Sequence, residues 1–164
     1  MARALIVGCG CRGRGLGAAL AGSGWQVRGT TRDEVNLPAI REAGIEPALA
    51  DPLNVGTVYD HIVGVAILYW LLGSAAGDDE DLAAVNGARL EALFEKLVDT
   101  PVRGLVFEAA GSVDARHLQE GARIAREASE RWRIPVELVG ADPGEPERWR
   151  EEMLAAGERA LLQR

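Results

Sequence analysis

The chain has 164 residues, 48% hydrophobic and 26% charged, with a formal net charge of −7. That is ordinary globular composition at the length of one domain, so a single domain over residues 1–164 is expected. The acidic balance speaks against nucleic acid as a partner, because binding to the phosphate backbone needs dense positive charge. No stretch reaches the ~18 uninterrupted apolar residues of a membrane span, and the run Ala4–Val7 is too short for the core of a secretion signal. A cytoplasmic protein without membrane partners is the expectation.

Seventeen of the eighteen basic residues are arginine, and Lys96 is the single lysine. Any chemistry that requires a lysine must therefore use Lys96. Cys9 and Cys11 are the only cysteines. A disulfide across one intervening residue would be strained, and two thiolates without a nearby histidine make a poor zinc site. They are read as small residues of a tight loop, and no metal site is expected.

Short β-branched runs alternate with helical patterns along the chain. Ala4–Val7 predicts a first strand, Gly13–Ser23 a helix and Gln26–Thr30 a second strand. The stretch 37–44 predicts a short helix with Pro38 in its first turn and Gly44 past its end. Residues 45–50 give a third strand and Val55–His61 another short helix. Val65–Tyr69 is apolar throughout, as in a strand buried on both faces. Residues 77–100 read as one long helix with its acids gathered at the N-terminus, where the helix dipole favours them. Its apolar stripe is Leu82, Val85, Leu90, Leu93, Phe94 and Leu97. A fifth strand over 102–110, a helix over 113–133, a sixth strand over 134–141 and a last helix from Pro146 complete the pattern. Such alternation implies parallel strands joined by right-handed crossovers. The fold class expected is α/β, a doubly wound Rossmann sheet of six mostly parallel strands in the order 3-2-1-4-5-6, with helices on both faces.

Residues 3–33 hold eight glycines and five arginines, with no acid before Asp33. Gly8, Gly10 and Gly13 form G-x-G-x-x-G between a predicted strand and a predicted helix, the context that lifts this motif above noise. Gly8 would permit the tight turn, Gly10 the approach of a pyrophosphate, and Gly13 close packing of helix on strand. The free N–H groups of the helix start would face the phosphates. Cys11 and Arg12 lie within this turn and are expected to contact the cofactor, Arg12 as a clamp on the phosphates. Arg14 is accounted for as well by a solvated helix start as by a phosphate clamp. An NAD site usually places an acid at the end of the second strand to hold the ribose 2′-hydroxyl. Here Thr30, Thr31 and Arg32 stand there, a set that accepts a 2′-phosphate. Asp33 and Glu34 follow, and read more simply as acids that start a helix. NADP is therefore expected over NAD, with NAD still open. Leu71, after the fourth strand, is expected to line the cofactor.

The segments "LIVGCGCRGRGLGAALAGSGWQVRGTTR", "ALADPL" and "VNGARLEALFEKL…VRGLVFEAAGSV" resemble the extended and atypical short-chain dehydrogenase/reductases, the NAD-dependent epimerase/dehydratase group. The resemblance covers nearly the whole chain. It implies an adenine contact from Asp51 and places Asn86 at the family's characteristic asparagine. Three features depart from the pattern. The family's catalytic Tyr-x-x-x-Lys pair is absent, because Tyr59 and Tyr69 are followed four residues on by Val63 and Gly73. Ala109, Ala110 and Gly111 occupy the usual Ser/Thr run after the fifth strand, and Ser112 reads as a loop or cap residue. Pro52 removes a backbone N–H next to Asp51. Relatives also continue past the sixth strand into a substrate-binding portion, whereas one helix follows here, with Trp149, Met153, Leu154 and Leu161 as its packing face.

These readings support a compact NADP-binding protein of the epimerase/dehydratase type without the family's usual catalysis: a sensor, a partner subunit or an unusual reductase. The alternatives are a small oxidoreductase or epimerase with a non-standard acid, and a structural module without ligand. The substrate is not legible. Glu108, Asp114 and His117 are read as surface or capping residues, and Trp70 as core. A homodimer through Leu90, Phe94, Leu118 and Trp132 is expected, unless those residues only cover the sheet.

Overall fold

A computed structural model describes residues 2–163. Six parallel strands form one sheet, β1 (Arg3–Val7), β2 (Gln26–Thr31), β3 (Glu46–Leu49), β4 (Val65–Trp70), β5 (Gly104–Glu108) and β6 (Val136–Val139). Their order is β3-β2-β1-β4-β5-β6, the doubly wound arrangement expected from the alternation of strand and helix patterns. The central strand β1 runs beside β2 on one side and β4 on the other, with Leu5 opposite Arg28 and Leu68. Every strand residue from Ala4 to Val7 is fully buried, as required where helices cover both faces.

One face carries α1 (Cys11–Gly22), α2 (Leu37–Glu42) and α7 (Pro146–Leu162). Their side chains Leu16, Leu20, Ile40, Trp149 and Met153 close over Ile6, Ile67 and Val106. The packing face expected for the last helix is present, with Trp149 and Met153 buried and Leu154 and Leu161 at its margin. The opposite face carries α3 (Val55–Tyr59), α5 (Ala88–Leu97) and α6 (Ala115–Trp132), which cover Leu5, Leu68, Trp70 and Phe107. Trp70 is core, as expected.

One expectation needs correction. The single helix over 77–100 is two helices, α4 (Asp79–Val85) and α5, broken at Asn86 and Gly87. The buried Asn86 donates its side-chain amide to the Leu82 carbonyl at 3.0 Å, and Gly87 departs from helical backbone at φ −132°, ψ −115°. The stripe of apolar residues survives the break because α4 and α5 both face the same core. The residues considered for pairing follow the alternative expected of them. Leu90, Phe94 and Leu118 are buried in the chain's own core, and Trp132 packs against its margin beneath the Arg131 guanidinium. These residues cover the sheet, which removes the reason for expecting a dimer through them.

Gly29, in the middle of β2, matters for the turn that follows β1. A Cβ on it would lie 2.6 Å from Cys9 Sγ. Gly29→Ala should therefore lower the unfolding free energy by about 1–3 kcal/mol, the usual cost of an overpacked core. Urea unfolding would show the loss, and adding Cys9→Ala to the same chain should restore part of it. An unchanged midpoint in the single variant would contradict this packing.

Candidate functional site

The chain must turn sharply where β1 ends, because α1 has to carry it back to the start of β2, which runs parallel beside β1. Gly8 makes that turn at φ +84°, and a Cβ there would lie 2.4 Å from the Leu71 carbonyl oxygen. Leu71 is fixed in turn by its N–H donating to the Val7 carbonyl at 2.9 Å, and Cys9 N–H donates to Thr30 at 2.9 Å. Gly10 caps α1 in extended backbone, with no side chain capping the helix. A Cβ on Gly10 would meet nothing within 4 Å, while one on Gly13 would meet the Gly8 carbonyl at 3.3 Å. Gly10 thus faces open space and Gly13 sits in a packed contact. The first N–H groups of an α-helix have no intrahelical partner, so those of α1 are presented to that space.

The space is a cleft of about 950 Å³ along the C-terminal edge of the sheet. Gly8, Gly10, Arg12, Thr31, Arg32, Asp51 and Leu71 line it, as does Arg14. Cys11 and Gly13 are not among its lining residues: Cys11 is exposed and Gly13 is buried in the helix packing. Arg12 Nε is buried without a hydrogen-bond partner. A buried donor left unpaired is uncommon and marks a place where an acceptor belongs. Arg32 reaches from the end of β2 across to the loop after β4 and donates to the Ala76 carbonyl at 3.0 Å. Thr31 spends its hydroxyl within its own loop, accepting from Asp33 N–H and Asn36. Asp33 caps the short 3₁₀ turn over 34–36 by accepting from Val35 N–H at 3.0 Å, as its place in the sequence suggested. At the same end of the cleft Asp51 accepts from Leu53 N–H, and a small recess of about 30 Å³ opens between Pro52, Leu72, Leu82 and Val85.

Cys9 is buried, and burial pushes its thiol up to about 12, against the pull of Arg14. It is therefore a neutral packing group under physiological conditions. The tyrosines stand away from the cleft. Tyr59 lies on the surface with the Lys96 ammonium 5.4 Å over its ring, and Tyr69 is buried beneath α7, where burial raises its hydroxyl. Asp114 caps α6 through Arg116 N–H, and His117 Nε2 lies 2.7 Å from Asp79, tying the start of α6 to α4. Ser112 is a loop residue whose N–H donates to Ser74 Oγ.

Glu108 is the residue that sequence reasoning misplaced. It is 3% exposed rather than a surface group, and it lines the cleft. Its two oxygens accept from Gly73 N–H and from Trp149 Nε1–H, each at 2.8 Å. Burial raises its carboxyl above the ordinary glutamate value, while those two hydrogen bonds and the Arg12 charge work in the opposite direction. The available signal was the apolar run Leu105–Phe107 that Glu108 closes, in a strand whose five residues are all buried.

No protein-family profile matches the chain, and no curated protein matches it in sequence. Solved structures do match it in shape. The UDP-glucuronic acid 4-epimerase of Bacillus cereus, solved with NAD and a fluorinated UDP-glucuronic acid, aligns at a TM-score of 0.66 and 15% identity over 83% of this chain and 55% of its own. A short-chain dehydrogenase/reductase superfamily protein of Agrobacterium tumefaciens with bound NAD aligns at 0.67 and 19% over 83% of this chain and 48% of its own. BdcA of E. coli aligns at 0.76 and 20% over 98% of this chain and 94% of its own. The chain thus spans about half the length of the epimerase and of the Agrobacterium protein. The resemblance drawn from the glycine turn is carried by the whole architecture: the chain has the fold of NAD-dependent epimerases and short-chain dehydrogenase/reductases.

The two glycines of the turn should separate in experiment. Gly8→Ala must strain a left-handed residue and strike the Leu71 carbonyl, so it should cost about 1–3 kcal/mol in stability. Gly10→Val projects into open space and should leave the melting temperature within a few degrees of the parent, while abolishing binding of any phosphate seated there. Equal loss of stability in both variants would contradict the assignment of Gly10 to the cleft.

Proposed function

We propose that the chain is an NADP(H)-binding domain that holds the dinucleotide along the C-terminal edge of its sheet and does not use the tyrosine–lysine chemistry of the epimerase/dehydratase group. The observation that carries this reading is the coincidence, in one cleft, of an uncapped helix N-terminus, an open Gly10 and the unpaired Arg12 Nε. Diphosphate oxygens would satisfy the helix N–H groups and Arg12 together. The adenosine would lie toward β2 and β3, beside Asp51 and the apolar recess, and its 2′-phosphate would meet Arg32. A sheet that binds NAD in structures of the same fold supports the choice of cofactor class.

The chemistry supplied by such a cofactor is hydride transfer. This chain's part is to bind and orient it: the helix start and arginines hold phosphate, and the loops after β4 and β5 limit the far end. Those loops are stitched by Val113 N–H donating to the Gly73 carbonyl at 3.0 Å. Neither tyrosine lines the cleft and Lys96 lies on α5 above Tyr59, so no tyrosine–lysine pair faces the cleft among the described residues. Sensing the cofactor, or lending it to a partner subunit, fits these residues better than the family's carbonyl chemistry.

NADPH should bind more tightly than NADH. A guanidinium contact to a phosphate dianion adds roughly 1.5–3 kcal/mol, or about 10- to 100-fold in affinity. The exposure of Arg32 and the loss of its bond to Ala76 move the expected preference to the lower figure. Fluorescence titration should show Arg32→Ala losing that preference with NADH binding unchanged, and added salt should shrink it in the parent. Equal affinity for the two cofactors in the parent at low ionic strength would reject the role of Arg32.

A further inference from the structure

Glu108 is the one buried carboxylate among the described residues, and it lines the same cleft as Arg12, Arg14 and Arg32, apart from the other acids there, Asp33, Glu34 and Asp51, which follow β2 and β3. Its surroundings are shaped for it. A Cβ on Gly73 would lie 2.8 Å from Glu108 Oε1 and 2.2 Å from the Ala110 carbonyl, so only glycine lets the loop after β4 approach this closely. Trp149 comes from α7 on the same face of the sheet to supply the second donor. No ion pair joins Glu108 to Arg12 among the described residues. Burying a carboxylate is costly unless its oxygens are paired, and the two N–H groups behind it meet that cost only in part. Each carboxylate oxygen keeps a second acceptor position.

Arg32 follows β2, Arg12 lies in the turn after β1, and Glu108 ends β5. From β2 to β5 the order crosses three strand intervals, roughly 14 Å at the usual spacing. On the proposed seating the diphosphate lies at the centre, by Arg12 and the start of α1, and the 2′-phosphate beside Arg32, where Asp33, Glu34 and Asp51 also line the cleft. A carboxylate repels phosphate and accepts hydrogen bonds from hydroxyl and amide groups. On a dinucleotide seated as proposed, the part that carries such donors beyond the diphosphate is the nicotinamide riboside, through its ribose hydroxyls and carboxamide. We propose that Glu108 is a specificity-determining acceptor for the nicotinamide riboside half of the cofactor, held in place by Gly73 N–H and Trp149 Nε1–H. This rests on the cleft being a dinucleotide site, and it makes the protein select whole dinucleotides over adenosine phosphates.

The test compares NADPH with 2′-phosphoadenosine 5′-diphosphate, which keeps the adenosine phosphates and lacks the nicotinamide riboside. The parent should bind NADPH about tenfold or more tightly than the diphosphate, the scale of a charge-assisted hydrogen bond. In Glu108→Gln, and in Glu108→Asp where the carboxylate is drawn back, that ratio should fall to about twofold or less, with the affinity for the diphosphate itself nearly unchanged. Thermal melting establishes that each variant is folded. A ratio near one in the parent overturns the proposal without recourse to any variant, and so does a folded variant that keeps the parent ratio. Equal binding of both probes leaves the dinucleotide cleft standing and removes only Glu108. Failure of the parent to bind either probe removes both.

Discussion

The structure depends on the close passage of two backbones at the C-terminal end of β1. The Gly8 Cα lies so near the Leu71 carbonyl that no side chain fits between them, and a left-handed turn is the only route onward to α1. This contact sets how far β4 and its loop approach the turn, and hence where α1 begins. The strand order reverses direction on either side of β1. Doubly wound sheets open a crevice at such a switch point, outside the carboxyl ends of the strands. The cleft is therefore a consequence of topology, and the glycines determine what it can admit.

An acidic protein has reason to concentrate arginine in this crevice. Its formal net charge of −7 works against any anionic ligand at long range, so attraction must be local and partly desolvated. Arg12 meets that need most directly, because its Nε is buried and unpaired. Arg32 reaches the same space from the outside and already bridges two loops, which places a cation at the rim without burying it. Glu108 supplies the opposite sign at the other end, where its burial and its two donors fix both position and orientation. The two ends of the cleft differ as a consequence: Arg32, Asp33, Glu34 and Asp51 line the end beyond β2 and β3, and the buried Glu108 the end beyond β5.

Much of this was legible in the residues. Apolar runs such as Ala4–Val7 and Val65–Tyr69 announce strands covered on both faces, and the G-x-G-x-x-G turn between strand and helix locates the crevice. Helix caps were legible too, as at Asp33 and Asp114, because a carboxylate one turn before a helix has few other uses. The break at Asn86–Gly87 was hidden by periodicity: the apolar stripe continues in phase across it, and the side-chain bond from Asn86 to Leu82 and the non-helical backbone of Gly87 reveal the interruption. Glu108 was hidden for a different reason. Its partners, Gly73 and Trp149, lie 35 and 41 residues away in sequence, and a carboxylate at a strand end reads as solvated unless those contacts are known. Likewise Leu90 and Phe94 look like an interface until the sheet is seen beneath them.

The central claim is that one crevice holds a nicotinamide dinucleotide in one orientation. A crystal structure of the protein grown with NADPH tests it most directly. The account predicts diphosphate density over the N–H groups that begin α1, with Arg12 Nε paired to a phosphate oxygen and the nicotinamide riboside toward Glu108. A dinucleotide bound elsewhere on the molecule, or one lying in the cleft with its adenosine against Glu108, would contradict it.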